Sequence, residues 1–285
     1  MRRILVTGAN GQLGNEVRLQ AALYPEDTYF FTDVAELDIC NREAVMQYVK
    51  LNAIDLIINC AAFTALDKAE EEVALCEKLN TEAVGYLAEA AEANGASLIQ
   101  ISTDYVFNGK SFLPYKETDE PCPNSVYGRT KLAGEKKALQ LCPQTLIIRT
   151  AWLYSTFGNN FVKTMIRLGK ERESLGVIFD QIGTPTYARD LAKAIFAAFH
   201  QGIVPGIYHF SNEGVCSWYD FTKAIHRMSG ITACKVAPLH TDEYPTKAAR
   251  PSYSVLDKTK IKQTYGLEIP HWEDSLKDCL EQLNK

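Results

Sequence analysis

The run Arg3-Ile-Leu-Val-Thr7, followed at once by Gly8-Ala-Asn-Gly11-Gln-Leu-Gly14, decides the fold. Its apolar, β-branched first part predicts a buried parallel strand, and the pattern over residues 12–23 predicts a helix. Glycine is needed where a backbone turns tightly and approaches a pyrophosphate, and a helix N-terminus offers free N–H groups to that anion. Glycines spaced G-x-x-G-x-x-G are weak evidence alone, but their place between a strand and a helix favours dinucleotide binding. The predicted cofactor contacts in this loop are Gly8, Gly11, Gln12, Leu13 and Gly14.

Strand and helix patterns alternate through the first half of the chain. The predicted strands are residues 3–7, 28–32, 55–62, 98–103 and 145–152, and the predicted helices are residues 12–23, 43–51, 67–94 and the segment around 127–131. This alternation is typical of an α/β, Rossmann-type doubly wound parallel sheet. We therefore expect a dinucleotide-binding domain over residues 1–150.

After residue 150 the alternation loosens. Helices are predicted at residues 160–172, 188–200, 217–229 and 272–283, with one short strand at 206–211 and a proline-containing loop at 237–252. We expect residues 151–285 to form a smaller C-terminal substrate-binding lobe, partly interleaved with the first domain. In the first half, residues 107–123 are rich in Gly, Pro and charge, and they predict a surface loop that closes over a pocket.

Asp33 ends the second predicted strand, nineteen residues after Gly14. An acidic side chain at this place can accept hydrogen bonds from the adenosine ribose 2′-hydroxyl, and it would repel a 2′-phosphate. Asp33 therefore favours NADH over NADPH, although an ordinary aspartate in a turn after a strand would look the same. Asp38 and Ile39 follow as candidates for the adenine side of the cofactor site.

Small and polar residues end the third and fourth predicted strands. Ala61 and Ala62 would let a cofactor approach the backbone, and ligands of open α/β sheets bind at this edge. The fourth strand brings Ser102, Thr103 and Asp104 to the same edge, where a hydroxyl could bind a substrate carbonyl. Capping of the strand end by small polar residues is the alternative interpretation.

Tyr127 and Lys131 are four residues apart in the run Asn124-Ser-Val-Tyr127-Gly-Arg-Thr-Lys131. On a helix this spacing puts both side chains on one face. A phenol has a reference pKa of about 10, and a neighbouring ammonium lowers it, so the pair can form a proton donor or acceptor. Taken alone, the pair is also compatible with an ordinary amphipathic helix.

The composition excludes several classes of function. The chain has 285 residues, 46% of them hydrophobic and 23% charged, with a formal net charge of -5, which argues against a nucleic-acid-binding surface. It has no apolar run long enough for a membrane span and no apolar segment typical of a signal peptide, so we expect a cytoplasmic protein. The eight cysteines and five histidines show no metal-ligand spacing, and no metal site is predicted from them.

These features resemble the extended short-chain dehydrogenase/reductase superfamily, and within it the dTDP-4-dehydrorhamnose reductase family. The resemblance runs almost end to end. Besides the glycine loop, it is carried by Ala65-Leu-Asp67-Lys-Ala-Glu70, Ser102-Thr-Asp-Tyr-Val-Phe107, Val126-Tyr-Gly-Arg-Thr-Lys-Leu-Ala-Gly-Glu135, Arg149-Thr-Ala-Trp152-Leu-Tyr154, Gly158-Asn-Asn-Phe161, Gly183-Thr-Pro-Thr186 and Ala249-Arg-Pro251. The glycine loop and Tyr-x-x-x-Lys are shared across the superfamily, whereas the Ser-Thr-Asp-Tyr-Val-Phe and Ala-Arg-Pro strings point to the reductases.

The resemblance implies a role for each matching position. Tyr127 would be the general acid, and Lys131 would bind the nicotinamide ribose and lower the pKa of Tyr127. Thr103 would polarise the substrate carbonyl, and Asp104 and Trp152 would contact the substrate. The further cofactor contacts that it implies are Asp33, Asp38, Ile39, Ala62, Phe63 and Thr64. Arg250 is a candidate ligand for the sugar-nucleotide diphosphate, because a planar guanidinium suits phosphate oxygens; a structural ion pair is the alternative.

The implied reaction is NAD(P)H-dependent reduction of the C4 keto group of dTDP-4-dehydro-L-rhamnose to dTDP-L-rhamnose, a polysaccharide precursor. One rival is an epimerase or dehydratase of the same superfamily, but dehydratases usually place a second carboxylate after the aspartate, where this chain has Tyr105. The other rival is a non-catalytic regulatory subunit, which would be expected to have lost part of the catalytic set.

A homodimer is possible by the resemblance, because some family members bind magnesium at a dimer interface through acidic residues. Glu16 matches one of those residues, but Arg189 stands where a second would be expected, beside Asp190. A metal-bridged dimer is therefore not among our predictions, and magnesium binding stays an open question at this point.

Overall fold

The computed structural model describes residues 1–284. Its strands are β1 (Arg3–Thr7), β2 (Thr28–Thr32), β3 (Leu56–Asn59), β4 (Ser97–Thr103), β5 (Thr145–Thr150), β6 (Leu153–Tyr154), β7 (Ser174–Ile178), β8 (Ile182–Gly183), β9 (Thr186–Tyr187), β10 (Gly206–His209), β11 (Cys216–Ser217) and β12 (Lys235–Leu239). Its α-helices are α1 (Gln12–Ala21), α2 (Arg42–Leu51), α3 (Leu66–Ala69), α4 (Val73–Glu77), α5 (Ala83–Ala93), α6 (Val126–Leu141), α7 (Phe161–Glu171), α8 (Ala188–Gln201), α9 (Trp218–Met228), α10 (Thr259–Tyr265) and α11 (Trp272–Leu283). A π-helical turn spans Lys78–Glu82, and 3₁₀ turns span Asp104–Val106 and Thr241–Glu243.

The central sheet has six parallel strands in the order β10-β5-β4-β3-β1-β2. The chain moves outward from β1 in both directions, so the order reverses between β1 and β3. In such a sheet the crevice for a ligand lies outside the carboxyl ends of the strands at this reversal. The predicted doubly wound, Rossmann-type sheet is therefore confirmed.

The inner strands β1, β3, β4 and β5 are largely buried on both faces because helices cover both, whereas the edge strands β2 and β10 are more exposed. On β1, Ile4 and Val6 face a core shared with α1, α8 and α10, whereas Leu5 faces a core shared with α2, α5 and α6. This two-sided burial explains why β1 is a continuous apolar run rather than an alternating one.

The second half of the chain contributes to both parts of the fold. Strand β10 joins the central sheet beside β5, and α8 packs in the same core as α1. Helix α10 packs in that core too, and a separate apolar core is made mainly by α7, α9 and α11. The sheet thus draws on residues from both sides of position 150.

Two local predictions were wrong. Residues 67–94 do not form one helix; they form α3, α4, the π turn and α5. The buried Asn80 in the π turn bonds the Phe63 N–H at 2.9 Å and the Phe63 carbonyl at 3.1 Å, so a loop distant in sequence shapes this region. The predicted loop at 237–252 begins inside β12, which pairs in parallel with β7, a strand that its sequence pattern did not predict.

None of the helices in residues 1–284 is long and apolar enough to cross a membrane.

Candidate active site

A cavity of about 620 Å³ opens at the carboxyl ends of the central strands. Its walls come from the glycine loop, the ends of β3, β4 and β5, the first turns of α6, and the segment before α7. The predicted site residues that it brings together are Gly11, Gln12, Leu13, Ala62, Thr64, Thr103, Asp104, Tyr127, Lys131 and Trp152. Residues from five predicted elements thus meet in one concave site.

The glycine loop packs so closely that side chains would not fit. A Cβ built on Gly14 would lie 2.4 Å from the Gly8 carbonyl oxygen, and one on Gly8 would lie 2.7 Å from the Ala61 nitrogen. Gly8 also has a φ of +64°, a conformation that favours glycine. Gly11 begins α1 without a side-chain cap, so the first N–H groups of the helix are available to an anion. The loop fits a dinucleotide diphosphate.

Asp33 lies beside this loop at the end of β2. Its carboxylate accepts hydrogen bonds from the backbone N–H groups of Asn10, at 3.2 Å, and Val34, at 2.9 Å. Asp38 is exposed and accepts from the N–H of Cys40, whereas Ile39 is buried in the core beneath the sheet. Neither Asp38 nor Ile39 lines the cavity, and neither does Phe63, which packs against the small apolar cluster that contains Val126.

Helix α6 carries Tyr127 and Lys131 on the face turned to the cavity. The Ser125 hydroxyl caps the helix by accepting from the Gly128 N–H at 3.1 Å. Lys131 is buried, and its ammonium donates to the Ile101 carbonyl at 2.6 Å. Burial lowers the pKa of Lys131 to about 8, opposed by the nearby Glu135 carboxylate.

The pKa of Tyr127 is raised above its usual value, not lowered as the sequence predicted. Burial dominates, the Asp104 carboxylate adds to it, and a hydrogen bond with Thr103 acts in the opposite direction. The lysine ammonium is engaged by a carbonyl on β4 instead of acting on the phenol. A neutral Tyr127 hydroxyl remains a proton donor at neutral pH.

Thr103 and Asp104 form a hydrogen-bonded pair at the end of β4. The Thr103 hydroxyl donates to Asp104 Oδ1 at 2.9 Å and accepts from the Tyr105 N–H at 3.2 Å. Burial raises the pKa of Asp104 to about 6, while its hydrogen bonds to Thr103 and Ser254 lower it. The site therefore holds a carboxyl group that titrates much closer to neutrality than an exposed aspartate.

Trp152 closes the far side of the cavity. It has a φ of +48°, rare for a bulky residue, and its ring stacks on Trp218 with centroids 3.5 Å apart. Trp218 also lines the cavity, and the sequence analysis missed it because the stacking partners are sixty-six positions apart. Gly158, Asn159 and Asn160 line the cavity as well, although the sequence assigned them no role.

Arg250 lies outside the cavity. Its guanidinium donates to the Asp67 carboxylate at 2.8 Å and lies in an adjoining crevice with Tyr105. The structure thus contains the ion pair that the sequence left open as the alternative role.

Arg189 also binds carboxylates. Its guanidinium lies 3.4 Å from Glu16 and 3.2 Å from Asp278, and the Ser155 hydroxyl donates to Glu16 at 2.7 Å. Glu16 is fully buried by these partners, so its charge is already compensated within the chain.

The chain matches the family model for the RmlD substrate binding domain over residues 1–285. It is 44% identical to a dTDP-4-dehydrorhamnose reductase from Aggregatibacter actinomycetemcomitans, with 98% of each chain covered. A crystal structure of a dTDP-4-dehydrorhamnose reductase from Clostridium acetobutylicum matches with a TM-score of 0.96 at 45% identity, over 99% of this chain and 100% of that one. The enzyme from Bacillus anthracis, solved in complex with NADP, matches with a TM-score of 0.94 at 42% identity over 99% of each chain. This chain belongs to the dTDP-4-dehydrorhamnose reductase family.

Proposed function

We infer that this protein catalyses the NAD(P)H-dependent reduction of the C4 keto group of dTDP-4-dehydro-L-rhamnose to dTDP-L-rhamnose. The observation that carries the inference is the meeting of Thr103, Tyr127 and Lys131 in one cavity beside a diphosphate-binding loop, in a chain of this family. A nicotinamide cofactor, when bound, supplies the hydride for the carbonyl carbon.

Besides the hydride, the reaction needs a proton and stabilisation of charge, and the side chains of the cavity supply both. Tyr127 donates its proton to the carbonyl oxygen, which becomes the new hydroxyl. Thr103, which lines the cavity with Tyr127, turns its hydroxyl from Asp104 to the carbonyl oxygen and stabilises the charge that develops there. We assign Lys131 to the nicotinamide ribose. Asp104 and Trp152 are proposed to position the sugar, because both line the cavity next to Thr103.

For the cofactor we propose a preference for NADH. Asp33 stands next to the glycine loop, and Glu36 approaches the same turn by accepting from the Asp33 N–H at 2.9 Å. Two carboxylates at this turn disfavour a 2′-phosphate.

Asp38, Ile39 and Phe63 lie outside the cavity wall. We propose that they support the adenine site and the loop backbone without direct contact with the cavity. The diphosphate of the sugar nucleotide is assigned to Arg250, which would have to exchange its bond to Asp67 for the phosphate.

Magnesium is not proposed as a cofactor. The guanidinium of Arg189 lies where a cation would have to bind Glu16, and it carries the compensating charge itself. A homodimer, if formed, would then not need a bridging metal.

The eight free cysteines suit a reducing compartment, which supports a cytoplasmic location.

The experiment that tests the reaction follows the hydride. Purified protein is given the 4-keto sugar nucleotide with NADH carrying deuterium at the transferred position, and the product is analysed by NMR. Deuterium at C4 of a rhamnose nucleotide is expected. An epimerase or dehydratase would return the hydride to the cofactor and give no net labelled reduction product, and a regulatory subunit would give no product at all.

A further inference from the structure

The segment 155–160 is held against the first turns of α1 by side-chain bonds that span much of the chain. Asn160 Nδ2 donates to Gln12 Oε1 at 3.0 Å, and the Ser155 hydroxyl donates to Glu16 at 2.7 Å. A Cβ built on Gly158 would lie 3.2 Å from the Gln12 side chain, so the segment approaches Gln12 closely. The glycine loop therefore has a second wall facing it.

The half-buried side chain of Asn160 connects α7, the segment 155–160 and α1. Its Oδ1 caps α7 by accepting from the Lys163 N–H at 3.1 Å, and its Nδ2 donates to the Ser155 carbonyl at 2.7 Å as well as to Gln12. One amide thus fixes the start of α7, the shape of the segment and the first turn of α1.

The segment also faces the place where an anion would bind. Gly158, Asn159 and Asn160 line the same cavity as Gly11, Gln12 and Leu13. The Lys163 ammonium donates to the Gly158 carbonyl at 2.9 Å, which satisfies that oxygen and places a positive charge at the segment. Together with the free N–H groups of α1, this charge is complementary to a diphosphate.

We propose that residues Gly158–Asn160 form the second wall of the dinucleotide diphosphate site, with Asn160 as the positioning residue that holds this wall against Gln12. The proposal rests on the proposed function for the identity of the dinucleotide. Asn160 acts through Gln12 and the segment, and it takes no part in proton or hydride transfer.

The test separates positioning from helix capping. Serine caps a helix about as well as asparagine but is too short to reach Gln12, so Asn160→Ser keeps the cap and removes the link. Asn41→Ser is the matched control, because Asn41 caps α2 through the Ala44 N–H and does not line the cavity. Dissociation constants of NADH, NADPH, ADP-ribose and AMP are measured by calorimetry for both variants and the parent protein.

Loss of the hydrogen bond between Asn160 and Gln12 should weaken cofactor binding about tenfold, which corresponds to about 1.4 kcal/mol. We expect this loss in Asn160→Ser for the dinucleotides and ADP-ribose, which contain a diphosphate, and no change for AMP. The kcat at saturating cofactor and the urea midpoint should match those of Asn41→Ser. A double variant with Gln12→Ala should bind no more weakly than Gln12→Ala alone, because both changes break one link.

Several results would overturn the proposal. Unchanged NADH affinity in folded Asn160→Ser would do so, and so would an equal loss for AMP, which would indicate general distortion. A rise in KM for the sugar nucleotide alone would place Asn160 in the substrate site instead. If the parent protein bound neither NADH nor NADPH, the proposed function would fall together with this inference, whereas normal parent binding isolates the failure to Asn160.

Discussion

The proposed carbonyl reduction depends on single side chains, which lie at the carboxyl end of β4 and in the first turns of α6. Tyr127 is buried and its pKa is raised, so its hydroxyl is protonated at neutral pH and is available for the proton donation that we propose. Tyr127→Phe removes that proton and leaves the ring against the apolar cluster that contains Val126. We expect kcat to fall by roughly a hundredfold or more, with cofactor affinity within about twofold of the parent protein. Steady-state kinetics with a calorimetric cofactor titration checks both, and near-normal turnover by the folded variant would refute the assignment.

Asp104 makes stability depend on pH in a direction opposite to that of most carboxylates. Its folded pKa is raised to about 6 from an ordinary 3.8, so the folded state favours the protonated form. The group therefore costs stability as pH rises from about 4 to 6, by on the order of 3 kcal/mol. Asp104→Asn removes this pH-dependent cost.

Urea unfolding at about pH 4 and about pH 7 measures the stability cost of the Asp104 carboxylate. The parent protein and Asp104→Asn are compared at each pH so that the effects of other titrating groups cancel. The variant should gain stability relative to the parent protein as pH rises. An unchanged difference between the two proteins at both pH values would show that the Asp104 pKa is not raised.

Asp33 is the residue that we propose sets the cofactor preference. Removing its charge in Asp33→Asn keeps an acceptor for the Asn10 N–H and reduces repulsion of a 2′-phosphate. The ratio of kcat/KM for NADH to that for NADPH should fall by about tenfold, a change of about 1.4 kcal/mol. Matched assays with the two cofactors give this ratio; a parent protein that prefers NADPH, or a ratio that Asp33→Asn leaves unchanged, would contradict the role given to Asp33.

At the scale of elements, short-range patterns predicted most of the structure correctly. Helix α11 begins and ends at the predicted residues, and Ser217 caps α9 as expected, with Asp220 completing a capping box. The region 67–94 failed because its breaks depend on distant partners: Asn80 bonds the Phe63 backbone, and the Asp67 carboxylate accepts from the Ala248 N–H. An amphipathic pattern carries no information about such contacts.

The close packing of α6 against the π turn leads to a further prediction. A Cβ on Gly134 would lie 2.1 Å from the Asn80 carbonyl oxygen, so Gly134→Ala must push α6 away from the turn. We expect a loss of roughly 1–3 kcal/mol in the free energy of unfolding, with reduced kcat because α6 carries Tyr127. The matched control is Gly85→Ala in α5, whose Cβ would meet only the flexible Lys137 side chain, and which should be neutral or stabilising by up to about 1 kcal/mol. Equal unfolding free energies of the two variants would contradict close packing at Gly134.

At the scale of the molecule, the sequence predicted the sheet and the meeting of the candidate catalytic side chains in one cavity, because both follow from strand alternation and from where strands end. It could not predict the stacking of Trp152 on Trp218 or the link from Asn160 to Gln12, since both join elements whose relative positions depend on the whole fold. The direction of the Tyr127 pKa shift was also out of reach, because burial raises this pKa and the Lys131 ammonium is engaged by the Ile101 carbonyl.

The ion pairs of Arg189 lead to a prediction about metal ions. Because Arg189 compensates Glu16 and also binds Asp278, removal of divalent ions should leave activity and molecular mass unchanged. Dialysis against EDTA, followed by assay and light scattering, checks this expectation. Activity lost on dialysis and restored by magnesium would show a metal requirement that this arrangement does not provide.

The most direct test of the central claim is the stoichiometry of a single assay. The protein is mixed with dTDP-4-dehydro-L-rhamnose and a reduced nicotinamide cofactor, and cofactor oxidation is compared with product formed. We predict one cofactor oxidised for each dTDP-L-rhamnose produced, in the parent protein and far more slowly in Tyr127→Phe. A parent protein that binds the cofactor yet oxidises none in the presence of this substrate would contradict the assignment of this site to carbonyl reduction.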